Sequence, residues 1–438
     1  MVSRKETRTL GLAALGATLE YYDFVVYLFV AAALSKEFFP PDVSPWIRQM
    51  QTFGIFAIGY LVRPVAGIVA AHFGDKVGRK KMFIFLIILM AVPTFLIGVL
   101  PTYAQVGWFA PLFLLILRAL QGCAVGGELP GAAVFVSEHA GASRIGGASG
   151  FLHGVVHLGL LLGTAAAALA GVISTHLDMP SLAWRLPFII GGLFGLTAAY
   201  LRRQLEESPL YAEIVRSKQV SKTVPLKVVV SQYRRACLFG FGLMFVQAVL
   251  ATVFFQYMQT VLITVYGVST QMALNANMFG ILALALSMPI WGQVSDRIGW
   301  GKTLLIGAVG TAVSAVYYFQ HLASAVTSVT SLSLLFAIAG IPVGAIIGLV
   351  PGLLSSLFPT QVRQSGYALP YNVGAALFAG LAPLTLAWLV RGFGPTVALY
   401  PVLLACAIAL VLASLVSGMR LYLGREAELQ AHSVDAIR

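Results

Sequence analysis

The stretch Gly74-Asp75-Lys76-Val77-Gly78-Arg79-Lys80-Lys81 lies between two long apolar runs, roughly 46–71 and 82–100. A polar link this short joins two helices that cross a membrane in opposite directions. Gly74 and Gly78 supply the turn positions that tolerate left-handed or closely packed backbone. Asp75 can cap the following helix or pair with Arg79, and the four basic residues hold the loop on one side of a bilayer. A decayed copy, Gly292-Gln293-Val294-Ser295-Asp296-Arg297-Ile298-Gly299-Trp300-Gly301-Lys302, follows half a chain later. It keeps the Asp-Arg-x-Gly core and loses the basic ending. Asp75 and Asp296 stand 221 positions apart in a chain of 438. That spacing predicts two parallel repeats related by an axis along the membrane normal.

Composition agrees. Hydrophobic residues make up 59% of the chain and charged residues 10%, where a soluble domain is about a quarter charged. A spanning helix needs about 20 apolar residues, so this length allows about twelve. The reading is an all-α membrane protein of twelve transmembrane helices in two six-helix halves. The first apolar run continues too far to be a signal-peptide core, so no cleaved leader is expected. Cys123, Cys237 and Cys406 all fall in predicted helices, which points to small core residues and away from a disulfide framework or a metal site. No nucleophile triad, metal motif or nucleotide loop occurs, so an enzyme is not expected, and neither is a cofactor beyond protons as the coupling ion.

Spans are predicted near 9–33, 46–71, 80–100, 108–137, 144–172, 183–203, 234–262, 272–291, 302–320, 332–357, 365–390 and 395–418. With both termini inside, 22 Lys and Arg fall on the cytoplasmic side and four outside, Lys36, Arg48, Arg185 and Arg391. That asymmetry fits the positive-inside rule for a multi-pass inner-membrane protein. The net charge of +12 is then topological, facing anionic lipid rather than nucleic acid. Residues 202–235 form the longest polar segment. The chain therefore divides into an N-terminal half 1–203, a cytoplasmic linker 204–233 with a short amphipathic surface helix, and a C-terminal half 234–438 with a short tail.

Candidate residues are the polar groups that sit deep in these spans. Glu20 lies about 16 Å into helix 1 at 1.5 Å per residue. Asp23 shares its face at a spacing of three, and Tyr27 continues it. Carboxylates at that depth are functional candidates by default, the alternative being a structural pair satisfied by a neighbouring helix. In helix 4, Arg118, Gln121, Val125 and Glu128 form one stripe. A buried Arg keeps its charge and needs a partner, and Asp23 lies at similar depth. Arg63 reads as helix packing or gate rather than substrate contact. Glu138, at the inner end of helix 4, can meet Arg79 or Arg144 as a latch. Gly146, Gly150 and Gly154 form a close-packing face on helix 5. His153 and His157 are four apart there, better suited to hydrogen bonding or substrate contact than to metal. The second half offers neutral groups, among them Gln256, Gln259, Asn277, Tyr371 and Asn372, so coupling chemistry is expected in the first half.

Several runs together resemble the metabolite:proton symporters of the major facilitator superfamily. They include the Gly74–Lys81 loop, Glu20-Tyr21-Tyr22-Asp23-Phe24, Arg63-Pro64, Pro93-Thr94, Gly98-Val99-Leu100-Pro101-Thr102-Tyr103, and Arg118 to Glu128. Trp184-Arg185-Leu186-Pro187-Phe188, Glu207-Ser208-Pro209, Phe358-Pro359-Thr360 with Arg363, and Tyr371-Asn372 extend the match over nearly the whole chain. The sequence departs from the family after Glu128, where Leu129-Pro130 replace an aromatic and a glycine, and in its helix-5 histidines. The resemblance implies the major facilitator fold, acting as a monomer, and proton-coupled uptake of an organic acid or zwitterionic metabolite by alternating access. It implies that Asp23 alternates between a proton and Arg118, with Glu20 and Glu128 assisting. With Arg118 in that part, the polar groups expected at the substrate are Arg118, Gln121, Tyr27, His153, His157, Gln256, Tyr371 and Asn372. Gly74, Asp75, Gly78, Arg79, Glu138, Asp296 and Arg297 would form a cytoplasmic gate. A proton-driven exporter of an amphipathic solute is the competing reading.

Overall fold

A computed structural model describes residues 18–19, 21–67, 69, 79–140, 142–202, 225–360 and 362–423. Among them there is no strand, and the chain forms twelve successive helical spans. α1 covers residues 21–29 and, after a break at Val30, Ala31–Glu37. α2 is Pro45–Leu61, opened by the Ser44 side chain accepting from the Ile47 N–H and by Pro45, a proline position that wastes no donor. α3 is Arg79–Val99, α4 Phe109–His139, α5 Ile145–His176 and α6 Leu182–Arg202. A short helix, Pro225–Gln232, precedes α7. The remaining spans are α7 Arg234–Thr264, α8 Thr270–Ile298, α9 Trp300–Ala325, α10 Val329–Ser356, α11 Arg363–Phe393 and α12 Pro395–Gly418. Eight of the described helices, α4, α5 and α7 to α12, are long and apolar enough to cross a membrane, and α3 and α6 carry shorter apolar stretches. The predicted spans thus match in number and order. The Glu20, Gly74, Asp75 and Gly78 positions lie outside the described residues.

Glycine seams bring the helices together. A Cβ at Gly154 would stand 2.7 Å from the Ala285 carbonyl of α8, and Gly146 and Gly150 lie against Gly292 and Met288 further along the same helix. The expected close-packing face of α5 is therefore its contact with α8. On the other side α4 meets α2 in the same way, Gly126 against the Arg63 carbonyl and Gly122 against Gly59. With lipid as apolar as leucine, such backbone approach supplies the association energy. The decayed loop copy closes α8 at Gly299, whose φ of +92° only glycine adopts without strain, before α9 begins at Trp300.

Two helices change pitch near the middle of the bundle. Thr252–Tyr257 in α7 and Ala375–Gly380 in α11 are π-helical. Such turns rotate side chains out of the α-helical stripe and concentrate at functional sites. Here they accompany Gln256 in α7 and the packing of Gly380 on Tyr60 of α2.

Candidate functional site

Arg118 is completely buried in α4. Its Nη1 donates to Gln121 Oε1 at 2.8 Å, the spacing-of-three stripe expected from the sequence, and its Nη2 donates to the Phe24 carbonyl at 2.8 Å. Its Cζ stands 4.2 Å from the centroid of the Phe24 ring and 4.7 Å from that of Tyr27. A second buried guanidinium, Arg63 of residues 63–67 beyond α2, stands 4.0 Å from the same Phe24 ring and 3.9 Å from Tyr60. The Nε of each arginine has no hydrogen-bond partner. Two cations thus share one aromatic ring, and among the described residues neither has a carboxylate within ion-pair distance. Cation–π contact compensates part of the lost hydration, and among the described residues no carboxylate compensates the charge.

The expected pairing of Asp23 with Arg118 is not what the structure shows. Asp23 is 2% exposed. It turns toward α6, where Gly191 and Gly195 leave room: a Cβ on Gly191 would stand 2.5 Å from Asp23 Oδ1. Oδ1 has no hydrogen-bond partner. The physical reason is space, because Gly191 and Gly195 of α6 leave room for the carboxylate on the face of α1 that carries Asp23. From Arg118 a hydrogen-bonded chain runs through Gln121 and Thr94 to the Met90 carbonyl and does not reach Asp23. Gln121 Nε2 donates to Thr94 Oγ1 at 2.7 Å, and the Thr94 methyl lies against the same Gly191 as Asp23. Sequence reasoning left Thr94 unassigned, although Pro93-Thr94 stood among the matching runs.

The histidines of α5 sit where predicted, and both hydrogen-bond. His153 Nδ1 lies 2.7 Å from the Ile347 carbonyl of α10, and His157 Nδ1 lies 2.8 Å from the His153 carbonyl. A carbonyl only accepts, so each Nδ1 carries the hydrogen. His157 Nε2 is buried without a partner, and its ring packs 5.4 Å from Tyr21. His153 lines a small cavity with Leu129, Val156, Tyr367 and Tyr371, between α4, α5 and α11. Its volume is about 10 Å³, room for about one water.

The second-half candidates divide. Tyr371 lines the cavity. Gln256 is buried in the π-helical turn with its Oε1 unpartnered, within electrostatic reach of Tyr21, as are Arg63 and Tyr371. Asn372 instead reaches across to α4, its Nδ2 donating to the Gly126 carbonyl at 2.8 Å. Tyr27 donates to the Thr52 carbonyl at 3.0 Å, which makes its hydroxyl a helix tie beneath Arg118. Asn277 Nδ2 bonds Gln259 Oε1 and the Phe255 carbonyl, joining α8 to α7. Glu128 lies in α4 with its side chain outside the described set.

A latch joins the first and last six helices at one end of the bundle. Glu138, expected to meet Arg79 or Arg144, pairs with Arg363 of α11 across 2.5 Å. Asp296 accepts from the Gly146 and Gly147 N–H groups at 2.7 and 2.8 Å, a carboxylate at the positive N-terminus of α5. Arg297 is exposed beside it, and the Arg79 side chain lies outside the described set. A contact between chain segments 225 residues apart is not readable from local pattern, which is why Arg363 was not among the expected partners of Glu138. At the opposite end Arg391 stacks 3.9 Å over Trp46, so α2 and α11 also touch there.

Comparison with known proteins places this geometry. The Major Facilitator Superfamily model matches residues 13–369. A putative proline/betaine transporter of Staphylococcus aureus (strain COL) is 32% identical over 411 residues, covering 90% of this chain and 84% of the relative. The glycine betaine/proline/ectoine/pipecolic acid transporter OusA of Dickeya dadantii is 32% identical over 391 residues, covering 86% and 76%. The proline/betaine transporter of Escherichia coli K12 is 31% identical over 395 residues, covering 88% and 78%. Among solved structures, the D-xylose-proton symporter superposes with a TM-score of 0.70 at 19% identity, over 93% of this chain and 96% of that one, a likeness of fold. The chain is a membrane protein of the Major Facilitator Superfamily and belongs, within it, to the family of these proline/betaine transporters, a family of transporters and not of enzymes.

Proposed function

We propose that the protein is a proton-coupled importer of a small zwitterionic solute of the proline and betaine class, working by alternating access between two six-helix halves, 1–203 and 234–438, joined by the 204–233 linker. The observation that carries this reading is the pair of buried guanidiniums, Arg63 and Arg118, on one Phe24 ring with no described carboxylate partner. A solute carboxylate supplies the missing charge, and two donors favour bidentate recognition. The names of the 31–32% identical relatives point to the same solute class, and give no support to export of an amphipathic solute.

Asp23 is the proton site in this scheme. It acts on Arg118 through its charge in the low-dielectric interior, and Glu20 and Glu128 are its candidate assistants. Proton binding removes a negative charge from beside α6 and leaves the arginines to the solute. Rocking of the halves breaks the Glu138–Arg363 and Asp296–α5 contacts on one side and the Arg391–Trp46 stack on the other. The 22-to-4 asymmetry of basic residues puts the latch and both termini in the cytoplasm of an inner-membrane protein, and the unit is a monomer.

Purified protein in liposomes tests this with radiolabelled proline and an imposed inward proton gradient. The expected result is accumulation above equilibrium that collapses on adding a protonophore. Uptake of no zwitterion or carboxylate, with or without the gradient, overturns the proposal.

A further inference from the structure

α2 carries an aromatic stripe that runs from the central site to the end of the bundle opposite the Glu138–Arg363 latch. Trp46, Phe53 and Tyr60 recur every seven residues, a spacing that keeps them on one helix face with a drift of about 20° per step. Each of them meets the last six helices. Tyr60 packs on Gly380 of α11 and carries the Arg63 guanidinium at 3.9 Å. Phe53 meets Tyr257 of the α7 π-helical turn, with ring centroids 5.9 Å apart. Trp46 lies about 21 Å from Tyr60 along the axis at 1.5 Å per residue. It meets Arg391 of α11, whose Cζ stands 3.9 Å over its ring. A cation thus covers the aromatic face at each end of the stripe, and the two ends differ in what surrounds it. Arg63 is buried, whereas Arg391 is exposed and pairs with no described carboxylate. Trp46 is half-buried, and its indole Nε1 is a buried donor without a hydrogen-bond partner. A cation–π contact at an exposed position is weak enough to exchange.

We propose that Trp46 and Arg391 form an outer solute subsite, where a zwitterion docks before it reaches the Arg63–Arg118 cluster and, in docking, parts α2 from α11. The proposal rests on the zwitterion-importer reading and its orientation, and adds to it a first binding step at the entrance. The solute's cationic nitrogen takes the Trp46 face that Arg391 now covers, and its carboxylate pairs with the displaced guanidinium. The cation–π contact is then kept and an ion pair is gained. Cation–π attraction asks for charge and not for an N–H, so ammonium and quaternary nitrogens serve alike. A simple anion can draw Arg391 away only by leaving the indole without a cation. A simple cation competes for the indole and is repelled by the guanidinium. The exchange therefore favours solutes that carry both charges, and it selects them at the mouth of the path rather than at its centre.

Trp46 reports on its own occupant, because its emission is the difference between wild-type and Trp46→Phe protein. Purified full-length protein in detergent is titrated with proline, glycine betaine, acetate and tetramethylammonium. The two zwitterions are expected to change the Trp46 emission, and the two single-charge probes to leave it as it was. The change should persist in Arg118→Met, where the central site is lost, and disappear in Arg391→Gln. In liposomes, Arg391→Gln and Trp46→Leu should raise the KM for proline at least about fivefold, with a smaller fall in kcat. Trp46→Phe, which keeps an aromatic face, should raise it less than Trp46→Leu does. Trp46 emission that ignores both zwitterions, or that answers acetate equally well, overturns the subsite. So does a fall in kcat with KM unchanged, the mark of a stack that only holds the two helices together. Where Arg118→Met does not fold, the KM and kcat values of the Trp46 and Arg391 variants decide. The subsite and the importer reading fail separately. Proline uptake with a silent Trp46 removes the subsite and leaves the importer, whereas a Trp46 response without uptake of any zwitterion keeps the subsite and sinks the importer.

Discussion

The two buried polar clusters of this molecule obey opposite rules. Around Phe24, the first six helices hold two cations whose described partners are neutral: an amide, a backbone carbonyl and aromatic faces. Around Asn277, the last six hold neutral amides tied to one another, with Asn277 Nδ2 donating to Gln259 Oε1 and the Phe255 carbonyl, Gln259 Nε2 donating to the Gln256 carbonyl, and only neutral oxygens such as Asn277 Oδ1 left over. The second cluster is a tie between helices, and a protein gains stability from it. The first holds charge that no described carboxylate compensates, in a low-dielectric interior, which lowers stability. Such a charge is retained for what it binds.

The largest effect is expected where that contrast is sharpest. Arg118→Met should lower zwitterion uptake at least about 30-fold, the loss expected when one member of a buried charge pair is removed. Its melting temperature in detergent should hold or rise, because an unpaired buried charge has gone. A marked fall in melting temperature with uptake retained would make Arg118 a structural residue and erase the contrast. Asp23→Asn is expected to abolish gradient-driven accumulation while solute exchange continues, and equal uphill uptake by the mutant would remove Asp23 from the coupling. A smaller effect is expected at the latch. Glu138→Gln weakens a half-exposed ion pair worth about 0.2–1 kcal/mol. Alkylation of a Ser149→Cys reporter, buried at the α5–α10 contact, should then speed up by at most about fivefold. An unchanged rate would mean that Asp296 holds that end closed by itself. The smallest belongs to the amide cluster. Asn277→Leu should cost about 0.6–1.7 kcal/mol of stability, the range for interhelical bonds in membranes, with uptake within about twofold of wild type. Loss of uptake at unchanged stability would move Asn277 from tie to site.

The sequence was most readable where a single helix carries the whole pattern. Arg118 and Gln121 at a spacing of three do bond each other, and the Gly146, Gly150 and Gly154 face is a helix contact. It was least readable where the answer depends on how one helix is rotated against another. Depth alone put Asp23 level with Arg118, but the small Gly191 and Gly195 of α6 decide where its carboxylate goes. Glu138 was assigned to the nearest basic residues in the chain, and found Arg363, brought there by the packing of α11 beside α4. Arg63 read as a packing or gate residue because it lies one to two helical turns from the 74–81 loop. Phe24, which places it beside Arg118, belongs to another helix. His157 was visible as a residue type, but that its Nε2 is left without a partner among the described residues appears only in three dimensions.

The cavity of about 10 Å³ beside His153 has a consequence for the membrane itself. A pocket with room for about one water is too small for a file of waters, so this cavity by itself offers protons no hydrogen-bonded path. With a potential of 100 mV worth about 2.3 kcal/mol per charge, a standing file of waters at this point in many copies of the chain would drain a membrane continuously. Packing this tight beside His153 is one barrier to such a leak.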